Sequence, residues 1–211
     1  MSAPEATAEG KTLPPLVLAS ASPRRRHYFD CFFPGHTVLP AECDERPASG
    51  EMPSVYVRRM AREKALDALR RAPEGAVVAA ADTIVVLDGQ VLGKPADAED
   101  AKRMLRMLSG RVHLVATAYH VQQGLAGGAR RVTGLVTTKV VFRELDEREI
   151  GDYVASGEPM GKAGAYACQG AATAFILRFR GSGSNVVGLP MAEVIAALAK
   201  FGYRPSFRAM A

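Results

Sequence analysis

Leu16-Val17-Leu18-Ala19-Ser20-Ala21-Ser22-Pro23-Arg24-Arg25 is the stretch on which the fold turns. Its first four residues are an apolar run that reads as a short buried strand. Ser22 is a favoured helix N-cap and Pro23 suits the first helical position, so a helix is expected from Pro23 to about Phe32. Strand running at once into helix is the opening unit of an α/β chain. Downstream, residues 38–41 read as a short strand. A longer helix follows over Pro53–Arg71, where Val57, Met60, Ala61, Ala65, Ala68 and Leu69 recur near a 3.6-residue period. Residues 76–87 are mostly Val, Ala and Ile and read as a strand buried on both faces. Asp88-Gly89 turns that strand back along Gln90–Leu92.

Asp97 caps a helix that ends near Leu108, with Gly110 where a C-terminal glycine belongs. Residues 112–122 and 132–142 alternate like an antiparallel pair. A short helix is expected over 146–155, a long glycine-rich loop over 156–170 and a strand over 174–179. A flexible turn follows over 181–185, then a closing helix over 189–200. Helices alternating with strands around a long hairpin predict an α/β fold with a mixed sheet. Residues 1–15 carry no apolar segment of the secretory kind and are expected to be a loose extension. A single domain is expected over 16–203, with a tail over 204–211.

The 211 residues are 48% hydrophobic and 23% charged, enough for a real core. Disordered, collagen-like and disulfide-stapled chains are excluded, and no apolar run approaches the roughly 20 residues of a membrane span. Lys and Arg number 27 against 22 Asp and Glu, a net charge of +5. That excess suits a polyanionic ligand, either nucleic acid or a phosphorylated small molecule. Outside Arg24-Arg25-Arg26 there is no basic run, there is no Trp, and aromatics are only 7%, so a base-stacking platform is poorly supported. Three cysteines without CxxC spacing argue against disulfides or zinc and fit a reducing cytoplasm.

Four constellations carry candidate chemistry. At Ser20 to Arg25, the free amides of a helix N-terminus bind anions, the serines add donors and arginine forks onto phosphate. Arginines in a first turn also face the unfavourable end of the helix dipole, which a bound anion offsets; solvated arginines behind a plain Ser22 cap are the competing reading. Asp82 is embedded in Val77-Val78-Ala79-Ala80-Ala81-Asp82-Thr83-Ile84-Val85-Val86, where a carboxylate is costly unless paired, metal-bound or catalytic. As general base, Mg²⁺ ligand or both, it stands against a strand-end Asp bonded to an amide. Thr83 beside it is by itself an ordinary strand residue. Glu42, Asp44, Glu45, Lys64 and Lys94 form the third set, in which a carboxylate can complete a Mg²⁺ site with Asp82 and Lys94 can reach phosphate from its loop. The fourth is the loop from Glu158 to Gly170, where Gln169 can read a base edge. The histidines show no ligand spacing, and neither GxxxxGK[ST] nor GxSxG occurs.

These residues, in this order, resemble the Maf family of nucleoside triphosphate pyrophosphatases. The likeness runs from Leu16-Val17-Leu18-Ala19-Ser20-Ala21-Ser22-Pro23-Arg24-Arg25 through Ala61-Arg62-Glu63-Lys64-Ala65, Ala81-Asp82-Thr83, Gly93-Lys94-Pro95 and Leu108-Ser109-Gly110. It ends with Lys162-Ala163-Gly164-Ala165-Tyr166, Gln169-Gly170 and Asn185-Val186-Val187-Gly188-Leu189-Pro190. The resemblance implies a two-lobed α/β fold around a central cleft, similar to inosine triphosphate pyrophosphatases. It implies hydrolysis of a nucleoside triphosphate to the monophosphate and pyrophosphate with a divalent cation, Mg²⁺ or Mn²⁺. It makes Asp82 the proton acceptor and places Ser20, Arg25, Glu45, Lys64 and Lys94 in the active site.

Arg24, Thr83 and Gln169 match the three positions that track substrate preference. Their identities are those of the branch acting on dTTP and UTP, whereas the 7-methyl-GTP branch typically carries Trp, Gln and Glu. Phosphates are expected on Ser20, Ser22, Arg25, Lys64 and Lys94, and a metal on Glu45 and Asp82. The partner is then a nucleotide, with no stable nucleic-acid partner and no membrane; a homodimer rests on the likeness alone. Gly161 stands where many relatives have an acid, and Ala167-Cys168 replaces a more usual Gly-Ile. The rival classes are a modified-purine pyrophosphatase and a non-catalytic nucleotide or nucleic-acid binding protein affecting cell division.

Overall fold

The computed structural model describes residues 13–124 and 128–207. β1 (Leu16–Leu18) leads into α1 (Pro23–Phe32), β2 (Thr37–Val38) and the long α2 (Pro53–Arg71). β3 (Val77–Leu87) and β4 (Gln90–Leu92) form a hairpin, followed by α3 (Ala98–Leu108). β5 (Val112–Gln123) and β6 (Arg130–Phe142) are the longest strands, and α4 (Glu147–Ala155) follows them. Two 3₁₀ turns (Ala163–Ala165 and Ala171–Phe175) precede β7 (Ile176–Arg180), α5 (Gly183–Val187) and α6 (Met191–Ala199).

The strands make one mixed sheet in the order β2-β1-β3-β5-β6-β7, with β4 also on β3. β1 is parallel to β2 and β3, and the remaining pairs are antiparallel. The mixed α/β sheet is as expected. The strand over 38–41 is shorter than expected, at Thr37–Val38, and the last strand begins at Ile176 after a 3₁₀ turn. Residues 181–185 are not a flexible turn but the start of a helix. Ser182 caps α5 through Asn185 N, Gly188 ends it in the left-handed region at φ 110°, and the Asn185 side chain is fully buried. That burial overrides the glycine and serine content on which the turn reading rested.

Two features of β3 position everything that follows. Its first partner on one edge, β1, stops at the Leu18–Ala79 pair, and its second, β4, begins at the Val85–Leu92 pair. Ala80 to Ile84 therefore have β5 on one side and an open edge on the other. That open stretch is the gap around which the candidate residues lie. The second feature is the alternation of side chains along the strand. On one face Val77, Ala79 and Ala81 pack with α1 and α6, and Val85 and Leu87 pack with α3 and α4; Thr83 sits between these two cores. On the other face, α2 covers Val78 and Ala80, then Ile84, and Asp82 sits between. Each apolar face is interrupted once, and the two interruptions are neighbours in sequence. The two cores at opposite ends of the long strands are the two lobes.

Leu13 packs against the first lobe, Pro14 O accepts from the Tyr203 hydroxyl, and Pro15 O accepts from Val77 N at 2.9 Å. Residues 13–15 are thus tied to the body, and the rest of the expected extension lies outside the described residues. At the other end Ser206 N bonds Phe32 O at 2.8 Å, and residues 208–211 lie outside the described residues. Among the described residues no helix is long and apolar enough to cross a membrane.

Candidate active site

Asp82 and Lys64 form the centre. Lys64 lies on the apolar face of α2, between Ala61 and Ala65, and so reaches β3 where the core is broken. Its Nζ donates to Asp82 Oδ1 at 2.7 Å, with only 11% and 12% of the two side chains exposed. A buried carboxylate and a buried ammonium each lose hydration, and their pairing offsets that loss. Burial would lower the Lys64 pKa, but the charge of Asp82 and the hydrogen bonds to Asp82 and Glu45 raise it, so the ammonium stays charged.

Glu45 extends the array outward. Its Oε1 lies 2.6 Å from Lys64 Nζ and its Oε2 2.8 Å from Lys94 Nζ. Burial works to raise the Glu45 pKa, yet the two lysines outweigh it and pull the carboxyl down to about 2. Acid and base thus alternate along Asp82, Lys64, Glu45 and Lys94. The loop bearing Glu45 has no regular structure and is clasped to α2. Tyr56 Oη donates to Glu45 O at 2.6 Å, Arg59 Nη2 donates to Arg46 O at 3.1 Å, and Arg71 Nη2 donates to Pro40 O at 2.6 Å. Arg59 also forks onto Glu51 at 2.8 and 2.7 Å, which holds the far end of the loop.

Arg25 occupies the gap in β3. Nη1 donates to the free-edge carbonyl of Ala81 at 2.8 Å, Nη2 to Thr83 Oγ1 at 2.8 Å, and Nε to Gly188 O at 2.6 Å. Its acceptors come from β3 and from the turn after α5. Gly188 packs closely there: a Cβ would lie 3.2 Å from both Arg25 Nε and Thr83 Oγ1, and its φ of 110° disfavours any other residue. Burial lowers the Arg25 pKa and Asp82 opposes that.

Ser20 is buried where β1 ends, and its Oγ accepts from Ser22 N at 3.2 Å. Ser22 Oγ accepts from Arg25 N at 3.4 Å, so this hydroxyl caps α1 and helps set the backbone from which Arg25 projects. Arg24 and Tyr28 lie on the side of α1 that meets the 156–170 loop. The Arg24 charge adds to the burial that lowers the Lys162 pKa and opposes the rise that burial imposes on the Cys168 thiol, and the Tyr28 hydroxyl faces Gln169. Burial pushes up the Cys168 thiol, which is unsuited to serve as a nucleophile.

Ser20, Arg25, Glu45, Lys64, Asp82, Thr83 and Lys94 thus gather around the β3 gap, while Arg24 and Gln169 flank it on the loop side. Sequence reasoning missed Tyr56, Arg59, Thr117 and the Gly188 carbonyl. Thr117 carries no signal beyond strand propensity, and Tyr56 and Arg59 carry none beyond their place in the helix over Pro53–Arg71. Among the described residues no group of three or more His, Cys, Asp or Glu side chains is arranged to hold a metal. Asp82 and Glu45 both contact the Lys64 ammonium, and Mg²⁺ commonly takes only one or two protein carboxylates, with phosphate and water completing its shell.

The sequence comparisons with known proteins agree on one family. The dTTP/UTP pyrophosphatase of Anaeromyxobacter dehalogenans (strain 2CP-C) is 52% identical over 190 residues, covering 90% of this chain and 95% of the relative. That of Geobacter sp. (strain M21) is 47% identical over 187 residues, 89% and 95% of the two chains. That of Myxococcus xanthus (strain DK1622) is 47% identical over 194 residues, 92% and 96%. Among solved structures, the Staphylococcus aureus Ham1 protein overlaps 60% of this chain and 71% of its own at 14% identity and a TM-score of 0.39, a likeness too distant to carry an argument. The model of the Maf-like protein family matches residues 15–201, nearly the whole described body, and the chain belongs to that family.

Proposed function

We propose that this chain is a pyrophosphatase that hydrolyses dTTP and UTP to the nucleoside monophosphate and pyrophosphate. The observation that carries the reading is the Asp82 carboxylate, set in the gap of β3 and ringed by Arg25, Lys64 and, through Glu45, Lys94. The names carried by relatives 45–52% identical over about nine-tenths of the chain supply the nucleotides. Arg24, Thr83 and Gln169 are the residues to which substrate preference is assigned, Gln169 through the base and Thr83 through the groups it positions.

The triphosphate lies along Ser20, Arg25, Lys64 and Lys94, whose positive charge matches its own. The lysines exchange Glu45 for phosphate oxygens on binding. Asp82 Oδ1 is held by Lys64, while Oδ2 accepts no hydrogen bond among the described residues. Oδ2 orients a water and takes its proton as the water oxygen bonds to the α-phosphorus. The bond from that phosphorus to the α–β bridging oxygen breaks, and its electron pair leaves with pyrophosphate, beside the arginine and lysines. Glu45 and Asp82 would hold a divalent cation, Mg²⁺ or Mn²⁺, which neutralises phosphate charge when bound. The protein's contribution is placement and charge stabilisation.

The substrate is a free nucleotide and no stable nucleic-acid partner is required. The three cysteines are unpaired, which supports a reducing, cytoplasmic setting. Pyrophosphate release measured with dTTP, UTP, CTP, ATP and 7-methyl-GTP in the presence of Mg²⁺ tests the reading. Turnover with dTTP and UTP well above the purine nucleotides is expected. Turnover of 7-methyl-GTP above both would transfer the protein to a modified-purine activity, and no turnover with salt-sensitive DNA binding would make it a binding protein.

A further inference from the structure

We infer that Thr83 and Thr117 are positioning residues for Arg25, so that Thr83 influences the substrate through its phosphates and not by touching its base. The inference deepens the proposed reading and rests on it.

The directions in this network follow from the donors each group can offer. Arginine only donates, so Thr83 Oγ1, 2.8 Å from Arg25 Nη2, is an acceptor there. The Thr117 hydroxyl donates its single hydrogen to Asn185 O at 2.9 Å. The bond between Thr83 Oγ1 and Thr117 Oγ1, 2.9 Å long, therefore takes its hydrogen from Thr83, in preference to the longer 3.5 Å approach to Gly188 O. The sense runs from guanidinium to Thr83, to Thr117, to the Asn185 carbonyl. The two threonines are opposite each other across β3 and β5, and Thr117 is fully buried.

The far end of the network is anchored in the sheet. The fully buried Asn185 side chain donates from Nδ2 to Val115 O and Thr138 Oγ1, both at 3.0 Å, and Thr138 Oγ1 donates to Ser182 O at 2.9 Å. Arg25 is thus held by three neutral acceptors, with no carboxylate in salt-bridge contact among the described residues. Of its five N–H groups three are used, which leaves one on each Nη, the geometry that forks onto phosphate. The Thr83 hydroxyl spends its one hydrogen on Thr117 and one of its two lone pairs on Arg25, so a base carbonyl would have to displace Thr117 to be read by it.

The test compares Thr83→Val and Thr117→Val with Thr83→Ser and Thr117→Ser, in the wild-type chain and in Arg25→Ala, using dTTP, UTP and CTP. Each valine should lower kcat/KM about ten- to a hundredfold, by a common factor across the three nucleotides. Serine at either position should recover most of that loss. In Arg25→Ala neither valine should add a further loss, a non-additivity that a merely structural role does not produce. A Thr83→Val change in the dTTP-to-CTP ratio larger than its common loss, or a full additional loss in Arg25→Ala, would overturn the inference.

Calorimetric titration with inorganic tripolyphosphate reads the same network without catalysis or a base. Both valine variants should bind it more weakly than wild type by similar factors, and unchanged binding would also overturn the inference. Thermal unfolding of each variant identifies any that fail to fold, and for those the serine variants in Arg25→Ala decide. If the wild type turns over none of the nucleotides, the pyrophosphatase reading fails, while the tripolyphosphate titration still decides the role of the threonines.

Discussion

Replacing Lys64 by Met removes the ammonium that Asp82 and Glu45 both touch, while keeping the length and apolar stem of the side chain. Asp82, about one-eighth exposed, is then left with its charge and no hydrogen-bonded cation. Breaking a buried pair in this way costs about 3–5 kcal/mol, and the residual exposure of both side chains places the expected value near the lower end, about 3 kcal/mol. At roughly 2–4 °C per kcal/mol for a chain of this size, the melting temperature should fall by about 6–12 °C.

Asp82→Asn is the informative contrast. It keeps the shape of the side chain, and Lys64 retains Glu45 at 2.6 Å, so the loss should be about 1 kcal/mol. Because the two residues touch, the double variant should cost less than the sum of the single losses. Urea unfolding of the four proteins at neutral pH measures all of these values. A Lys64→Met loss below about 0.5 kcal/mol, or one smaller than that of Asp82→Asn, would refute the reasoning that the lysine holds a buried charge in place.

Asp82→Asn should also cut turnover of dTTP by about 10²–10⁴-fold while the protein remains folded, as steady-state kinetics with circular dichroism would show. The Glu45 carboxyl is depressed to about 2 against an ordinary value near 4.5; its contribution to stability is therefore complete above pH 4.5 and lost as pH falls toward 2. The stability difference between wild type and Glu45→Gln, followed by urea unfolding, should be flat above about pH 5 and change below it. Arg59→Ala, which releases Arg46 O and the largely covered Glu51 carboxylate, should lower the melting temperature by only a few degrees, since a hydrogen bond to a charged group contributes about 1.5 kcal/mol. It should nevertheless speed proteolysis between residues 43 and 52 and lower kcat/KM by about tenfold. Gly164→Ala should destabilise the second lobe by about 2 kcal/mol, because a Cβ there meets Val85 at 2.9–3.0 Å and φ is +68°.

What could be read from the sequence followed the strength of local signals. Ser22-Pro23 announces the start of α1 because capping chemistry is local, and the Ser22 hydroxyl does make that cap. Asp82 stands out because an acid inside a run of Val, Ala and Ile conflicts with burial, and the conflict resolves in Lys64, eighteen residues upstream on another element. The identity of that partner was beyond local reading, since Lys64 sits in Arg62-Glu63-Lys64-Ala65 like any surface lysine. Thr117 was invisible for the opposite reason: threonine is at home in a strand, and only its pairing with Thr83 and Asn185 gives it a role. The gap in β3 depends on where β1 and β4 stop pairing, a property of register that no single segment encodes.

Hydrolysis of dTTP in ¹⁸O-labelled water tests the central claim most directly, because it reports which phosphorus the water attacks. Attack at the α-phosphorus beside Asp82 predicts one labelled oxygen in the thymidine monophosphate and unlabelled pyrophosphate, with Asp82→Asn forming neither product at an appreciable rate. Label in pyrophosphate, or in inorganic phosphate released with the diphosphate, would place the attack elsewhere along the chain and contradict the account.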